Sequence, residues 1–229
     1  MHTIRVWDLP TRLFHWTLVL CVVGLIVTGN IGGNAMVWHG RLGYAVLTLL
    51  LFRIAWGLVG GHWSRFASFL YAPSSVLAYL RGQGRPEHSV GHNPLGALSV
   101  FAFLLILLAQ VGSGLFADDE IAFTGPLVGL VSGEWVGQAT SYHKNVGKLL
   151  LIALVALHLG TIAFYKLAKK QALVASMIVG DKTVPSPVPA SQDNARTRLL
   201  ALVILVLCAA AVYGIVSLGG GMVPSASFD

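Results

Sequence analysis

The chain has 229 residues, of which 55% are hydrophobic and only 10% charged, and it carries a formal net charge of +6. Soluble domains carry about 25% charged residues, so this composition excludes an ordinary soluble surface and indicates a membrane protein. The basic residues flank apolar runs and form no patch, which argues against nucleic acid as a partner.

Trp7, Asp8 and Pro10 precede the first apolar run, and no clear small-residue cleavage site follows it, so the run is expected to stay as a helix. Five runs reach the length of about 20 residues needed to cross a bilayer. They are predicted at 13–32, 39–60, 95–116, 143–167 and 197–219. Between the second and third, Trp63–Gly82 mixes aromatic residues with Arg65 and Arg81 and is broken by Pro73. It reads as an interfacial amphipathic segment, with an ordinary ordered loop as the alternative. Asp118–Ser141 reads as a long loop rich in glycine and aromatic residues. Gly180–Arg196 reads as a Pro/Ser-rich linker.

The predicted fold class is therefore all-α. Residues 1–170 form a transmembrane four-helix unit, 171–196 a cytoplasmic linker, 197–219 a fifth transmembrane helix and 220–229 a periplasmic tail. The basic residues set the orientation. With the N-terminus inside, Arg5, Arg12, Arg53, Arg65, Arg81, Arg85, Lys166, Lys169, Lys170, Lys182, Arg196 and Arg198 lie in or near the cytoplasmic side. Only Arg41, Lys144 and Lys148 lie at the other end, which also holds Asp118, Asp119, Glu120 and Glu134. The expected location is the bacterial inner membrane, with a cytoplasmic N-terminus and a periplasmic C-terminus.

Cys21 and Cys208 form no CxxC and no CxxCH, which argues against zinc fingers, iron–sulfur cages and covalently attached c-type haem. Among the histidines, His2, His62, His88 and His92 fall in the N-terminal tail or a loop and are read as solvated or interfacial. His15, His39, His143 and His158 fall in or at the ends of membrane helices, where ionisable groups are costly and mark function. His15 belongs near the inner side, His39 and His143 near the outer side. His158 lies fifteen residues beyond His143, roughly 22 Å along a helix axis and turned by only about 60°. Each therefore finds a partner at its own depth, His39 with His143 and His15 with His158.

Zinc prefers three or four N/S ligands, and no carboxylate or thiol lies at these depths. A haem iron needs two axial ligands, so bis-His haem b fits the count and the apolar setting. Two haem b groups are expected, with His15, His39, His143 and His158 as the iron ligands. Gly43 and Gly147 each lie four residues after a histidine, where a missing side chain gives room for a flat macrocycle. Helix–helix contact through small residues is the alternative for both. Arg41, Lys144 and Lys148 are candidate partners for the propionates of the outer haem, Arg53 and Arg12 for those of the inner one. For Arg12, a positive-inside anchor explains the residue equally well. A histidine bundle carrying metal ions without haem is the alternative from another class, and the lack of intramembrane Asp or Glu weighs against it.

The segments VWDLPTRLFHW (6–16), VWHGRLGY (37–44), FRIAWGLVG (52–60), GHNPLGALS (91–99), YHKNVGK (142–148) and LHLG (157–160) resemble the bacterial cytochrome b561 family, which includes b-type cytochrome subunits of nickel–iron hydrogenases. The resemblance covers roughly residues 4–170. It implies two b haems held by one histidine on the first helix, one on the second and two on the fourth, matching His15, His39, His143 and His158. It also implies electron transfer between a quinone pool in the lipid membrane and a redox partner outside the cytoplasm. The acidic outer loop suggests a basic partner such as a periplasmic c-type cytochrome. Two alternatives stay open: superoxide oxidation at the outer haem with quinone as acceptor, and service as the b-type subunit of a hydrogenase-like complex. An electron-transfer role is favoured over that of a stand-alone oxidoreductase.

Overall fold

The computed structural model describes residues 1–84, 88, 90–121 and 123–219. Arg85 and the 220–229 tail lie outside the described residues. The elements run β1 (His2–Arg5), α1 (Leu9–Ile31), α2 (Ala35–Val59), α3 (Pro73–Leu80), α4 (Pro94–Leu115), α5 (Gly133–Ser141), a π-helical turn (Tyr142–Gly147), α6 (Lys148–Leu167), α7 (Leu173–Val179), β2 (Asp181–Val184) and α8 (Ala195–Ser217). Among the described residues, five helices are long and apolar enough to span a membrane: α1, α2, α4, the continuous stretch Gly133–Leu167, and α8. Leu20, Leu105 and Leu207 on these helices are well exposed, as lipid-facing side chains are. The chain is all-α in class and a multi-pass membrane protein.

The boundaries have local causes. Asp8 stands just before α1, and its carboxylate accepts the Thr11 amide at 2.8 Å, which caps the first turn. Pro10 falls in that turn, where its missing N–H costs nothing. Gly32 and Gly33 have φ of 69° and 51°, a left-handed reversal suited to glycine, so α2 starts at Ala35 rather than at His39.

Two stretches differ from the sequence expectation. Part of the expected loop 118–141 is helix, because α5 runs without a break into the π turn and α6. Thr140 ties this helix to the loop: its hydroxyl accepts the Asp118 amide at 3.0 Å and lies 2.8 Å from the Val136 carbonyl. The expected linker 171–196 is ordered too. Its β2 pairs antiparallel with β1, with His2 opposite Val184 and Arg5 opposite Asp181. Arg5 bonds Asp181 and Asp193, both at 2.6 Å, and the Ser191 amide donates to the Arg5 carbonyl at 2.7 Å. Val6, Trp7, Trp63, Val90 and Val184 form the small core beneath this strap.

The chain divides into two compact units. The first comprises Met1–Trp16, Phe52–Leu104 and Ala153–Ile204. The second comprises Thr17–Leu51, Leu105–Ile152 and the chain from Leu205. In the first unit Asp8 is fully buried and acts as a hub. Besides Thr11, it accepts hydrogen bonds from the Ser64 hydroxyl at 2.6 Å, the Trp56 indole at 3.2 Å and the Gly61 amide at 3.2 Å. Gly61 must be glycine here, since a Cβ would collide with the Asp8 carboxylate. Asp8→Asn places an amide N–H₂ among these donors. It should lower stability by about 3 kcal/mol, read as a lower thermal midpoint in detergent, and an unchanged midpoint would contradict the hub.

Candidate functional site

His39 and His143 come together in the second unit. Their ring centroids are 6.0 Å apart and their planes stand at 83°. His39 Nδ1 lies 3.0 Å from the Leu25 carbonyl, and His143 Nδ1 lies 2.8 Å from the Gln110 carbonyl. A carbonyl oxygen only accepts, so each Nδ1 carries the proton and each Nε2 keeps its lone pair. That tautomer is the one a metal-ligating imidazole needs. The 6.0 Å separation would accommodate a metal ion bound by both rings at about 2 Å from each nitrogen.

The two helices that present these carbonyls use the same short pattern. On α1 it reads Leu25-Ile26-Val27-Thr28-Gly29, and on α4 Gln110-Val111-Gly112-Ser113-Gly114. The first residue supplies the carbonyl. The hydroxyl at the fourth lies beside the same imidazole nitrogen, Thr28 at 3.3 Å and Ser113 at 3.4 Å. The glycine at the fifth leaves the ring its place: a Cβ on Gly29 would lie 3.1 Å from His39 Cε1, and one on Gly114 2.9 Å from His143 Cε1. Sequence reasoning missed Thr28, Gly29, Ser113 and Gly114, yet the repeated hydroxyl–glycine pair was visible on two apolar helices.

His143 itself sits in the π turn, a form that recurs at functional sites inside α-helices. Gln110 holds it twice, because the Gln110 side-chain amide also donates to the His143 carbonyl at 3.0 Å. Gly147 makes room for that amide, since a Cβ there would collide with Gln110 Oε1. The Gln110 side chain occupies the place of its absent Cβ. Gly43, in contrast, faces open space. Arg41, Lys144 and Lys148 are all exposed, with the Arg41 guanidinium 5.1 Å above the Trp38 ring.

In the first unit His15 and His158 are electrostatic neighbours. His15 Nδ1 is buried without a hydrogen-bond partner among the described residues, and His158 meets Phe103 edge-on at 5.5 Å. Arg53 is only 3% exposed. Its guanidinium lies 4.8 Å over the Phe66 ring, and its Nη1 has no partner among the described residues. A buried cationic donor left unpaired is expensive, so this position suits an anion such as a haem propionate. Arg12 differs: its Nη1 donates to the Ile178 carbonyl at 2.6 Å, which ties α1 to the end of α7, while its Nε is buried without a partner among the described residues.

Of the two readings expected for His88 and His92, solvated or interfacial, the solvated one does not hold, because both rings are packed among aromatic residues. His88 stands edge-on to Tyr71 at 5.0 Å and Tyr79 at 5.7 Å. His92 lies between Trp7 at 4.7 Å and Phe69 at 4.5 Å. Its Nδ1 is buried without a partner among the described residues. Burial, then the nearby charges of Arg53 and His15, push its pKa down to about 3, so it is neutral at physiological pH. Aromatic packing from residues distant in sequence carries both placements, and no local motif announces it.

An apolar helical chain with paired, tautomer-fixed imidazoles and a buried, unpaired guanidinium donor has the makeup of a membrane b-type cytochrome. The model of the prokaryotic cytochrome b561 family matches residues 6–180, and the chain belongs to that family. Its cofactor class is haem b and its general role electron transport. A relative from Azotobacter chroococcum mcd 1, named "Probable Ni/Fe-hydrogenase B-type cytochrome subunit", is 27% identical, covering 77% of this chain and 87% of its own. A relative of the same name from Cupriavidus necator is 27% identical, covering 78% and 86%. One from Escherichia coli K12, named "Probable Ni/Fe-hydrogenase 1 B-type cytochrome subunit", is 28% identical over 50% of this chain and 60% of its own. No solved structure matches.

The glycines give a direct test of the imidazole cradle. Gly114→Ala should break the His143–Gln110 bond and lower the thermal midpoint by an amount equivalent to about 1 kcal/mol. Gly43→Ala, which meets nothing, should not. Equal midpoints for the two variants would contradict the assigned role of Gly114.

Proposed function

We propose that this chain holds two b haems between paired histidines and relays electrons between a membrane quinone and a redox subunit on the far side of the membrane from its N-terminus. One pair is His39 with His143, the other His15 with His158. The observation that carries the reading is the 6.0 Å approach of the His39 and His143 rings, each with Nδ1 bonded to a helix carbonyl. The haem, when bound, supplies a one-electron couple. The residues of this chain do the rest. They hold two imidazoles in one tautomer, surround them with apolar helices, and set cations beside the propionates. Arg53 and Arg12 serve the His15/His158 pair; Arg41, Lys144 and Lys148 serve the other. Gly43 leaves open space on α2 beside the His39/His143 pair.

The relatives' names support a hydrogenase-type complex as the partner. A c-type cytochrome is the second reading, favoured by the acidic side chains Asp118, Asp119, Glu120 and Glu134. Two of these are already engaged in shaping the loop: Asp118 accepts the Glu120 amide at 2.7 Å, and Asp119 accepts the Phe123 amide at 2.8 Å. The basic-residue count supports a cytoplasmic N-terminus in a bacterial inner membrane.

The test is haem stoichiometry in single variants. His143→Ala should lose one of two haems per chain and His158→Ala the other, as measured by haem content against protein. Retention of both haems in either variant would overturn the pairing. Isolation of the native complex in mild detergent separates the partners, since a hydrogenase large subunit or a c-type cytochrome would co-purify in stoichiometric amount.

A further inference from the structure

We propose that a basic cavity in the first unit, distinct from the imidazole pairs, binds the phosphate of an anionic membrane phospholipid. The cavity measures about 480 Å³. That volume falls in the range of about 300–1,000 Å³ typical of small-molecule sites. It lies in the stretch that joins the end of α2 to the start of α4, both of them spanning helices, so it belongs to the membrane boundary. Two short 3₁₀ turns, His62–Ser64 and Phe66–Ser68, and the first turn of α3 build it.

The polar groups of its wall are donors. The exposed Arg65 guanidinium lines the cavity, with Nη2 3.5 Å from His62 Nδ1. A guanidinium only donates, so His62 accepts through Nδ1 and carries its proton on Nε2, where a second acceptor can meet it. Burial and then the charge of Arg65 hold the His62 pKa below its ordinary value, so the ring is a neutral donor at physiological pH. Ser75 adds a hydroxyl from α3. A charged guanidinium, an imidazole N–H and a hydroxyl are the donors that phosphate oxygens accept from. Among the described residues, no acidic side chain lines the cavity. An ammonium headgroup meets no carboxylate there, so a net anionic lipid is favoured over a zwitterionic one.

The wall is held in advance of any ligand. The Trp63 indole donates to the Pro189 carbonyl at 2.8 Å, the Ser68 hydroxyl to the His62 carbonyl, and the Tyr71 hydroxyl to the His92 carbonyl at 2.9 Å. These bonds fix the turns, so binding has little new chain to order. The surroundings point to lipid as the carrier of the phosphate. Leu70 is exposed next to Tyr71 of the wall, and α3 exposes Leu77 and Leu80. At about 100° per residue, Leu77 stands about 160° around α3 from Ser75. One face of α3 thus meets the cavity and the other meets acyl chains. Basic pockets beside spanning helices take anionic headgroups by this pairing of charge with an apolar surround. A soluble phosphate uses the donors alone and gains nothing from the leucines.

Arg65→Gln removes the charge, and Ser75→Leu fills the cavity from another element. The haem-loaded full chain, stripped of lipid in dodecyl maltoside, is titrated with dioleoylphosphatidylglycerol, dioleoylphosphatidylcholine or inorganic phosphate. Lipid retained per chain is read by native mass spectrometry. The wild type should keep one phosphatidylglycerol, bound about tenfold or more tightly than phosphatidylcholine. Each variant should lose about tenfold or more in affinity for phosphatidylglycerol, with the thermal midpoint in the absence of lipid unchanged. Arg81→Gln, just past the end of α3, should stay within about twofold of wild type. Retention at the wild-type level in both cavity variants would overturn the site, as would an equal loss in Arg81→Gln, the mark of general charge attraction. Equal affinity for the two lipids would overturn the anionic requirement. Displacement of phosphatidylglycerol by an equal concentration of inorganic phosphate would overturn lipid as the source of the phosphate.

Discussion

Two hydrogen bonds, His39 Nδ1 to the Leu25 carbonyl and His143 Nδ1 to the Gln110 carbonyl, govern the chemistry this chain can offer. Each is worth only about 1 kcal/mol in net stability. Their larger effect is on identity and aim, because they place the proton on Nδ1 and turn Nε2 outward. Several other features follow from them. Gly29 and Gly114 exist so that a ring can reach a helix carbonyl, and a side chain at either would stand within van der Waals range of the imidazole. The π turn sets His143 where Gln110 can hold both its ring and its main chain. Gly147 in turn yields space to the Gln110 side chain. The placement of His143 thus depends on two glycines, one glutamine and an irregular helical turn.

The first unit solves a different problem, that of keeping charge inside an apolar surround. Asp8 is buried and fully occupied by four donors. Arg53 is buried and left with a free donor, its cost offset in part by the Phe66 ring. Asp8 is thus a carboxylate with its acceptors used, while Arg53 keeps one donor, Nη1, without a partner among the described residues. The strap formed by β1, β2 and the Asp193 ion pairs closes over the Asp8 end, with the Arg5 and Arg198 side chains meeting on one carboxylate at 2.6 and 2.8 Å.

The spans, and the positions of the four histidines on them, were legible because both signals are local: apolar runs of bilayer length, and imidazoles where imidazoles are costly. The helical start at Gly133 was not legible, since GEWVGQATS is short, carries two glycines and lacks an apolar run, and is held by continuity with α6. The strap was hidden for a related reason. Its Pro/Ser-rich composition reads as a linker, while its order comes from Arg5, Val6 and Trp63, more than a hundred residues away. The packing of His92 was not legible because the rings of Trp7 and Phe69 reach it through space, not along the chain. The carbonyl–hydroxyl–glycine pattern on α1 and α4 could have been found by looking for repeats across helices rather than along each one.

The central claim, that His39 and His143 face one iron from two sides, is tested most directly by electron paramagnetic resonance of the oxidised, haem-loaded protein. Imidazole planes near perpendicular, 83° here, predict a strongly anisotropic low-spin ferric signal that disappears in His39→Ala. A high-spin signal, or a rhombic low-spin signal of the parallel-plane type assigned to this pair by its loss in His39→Ala, would contradict the account.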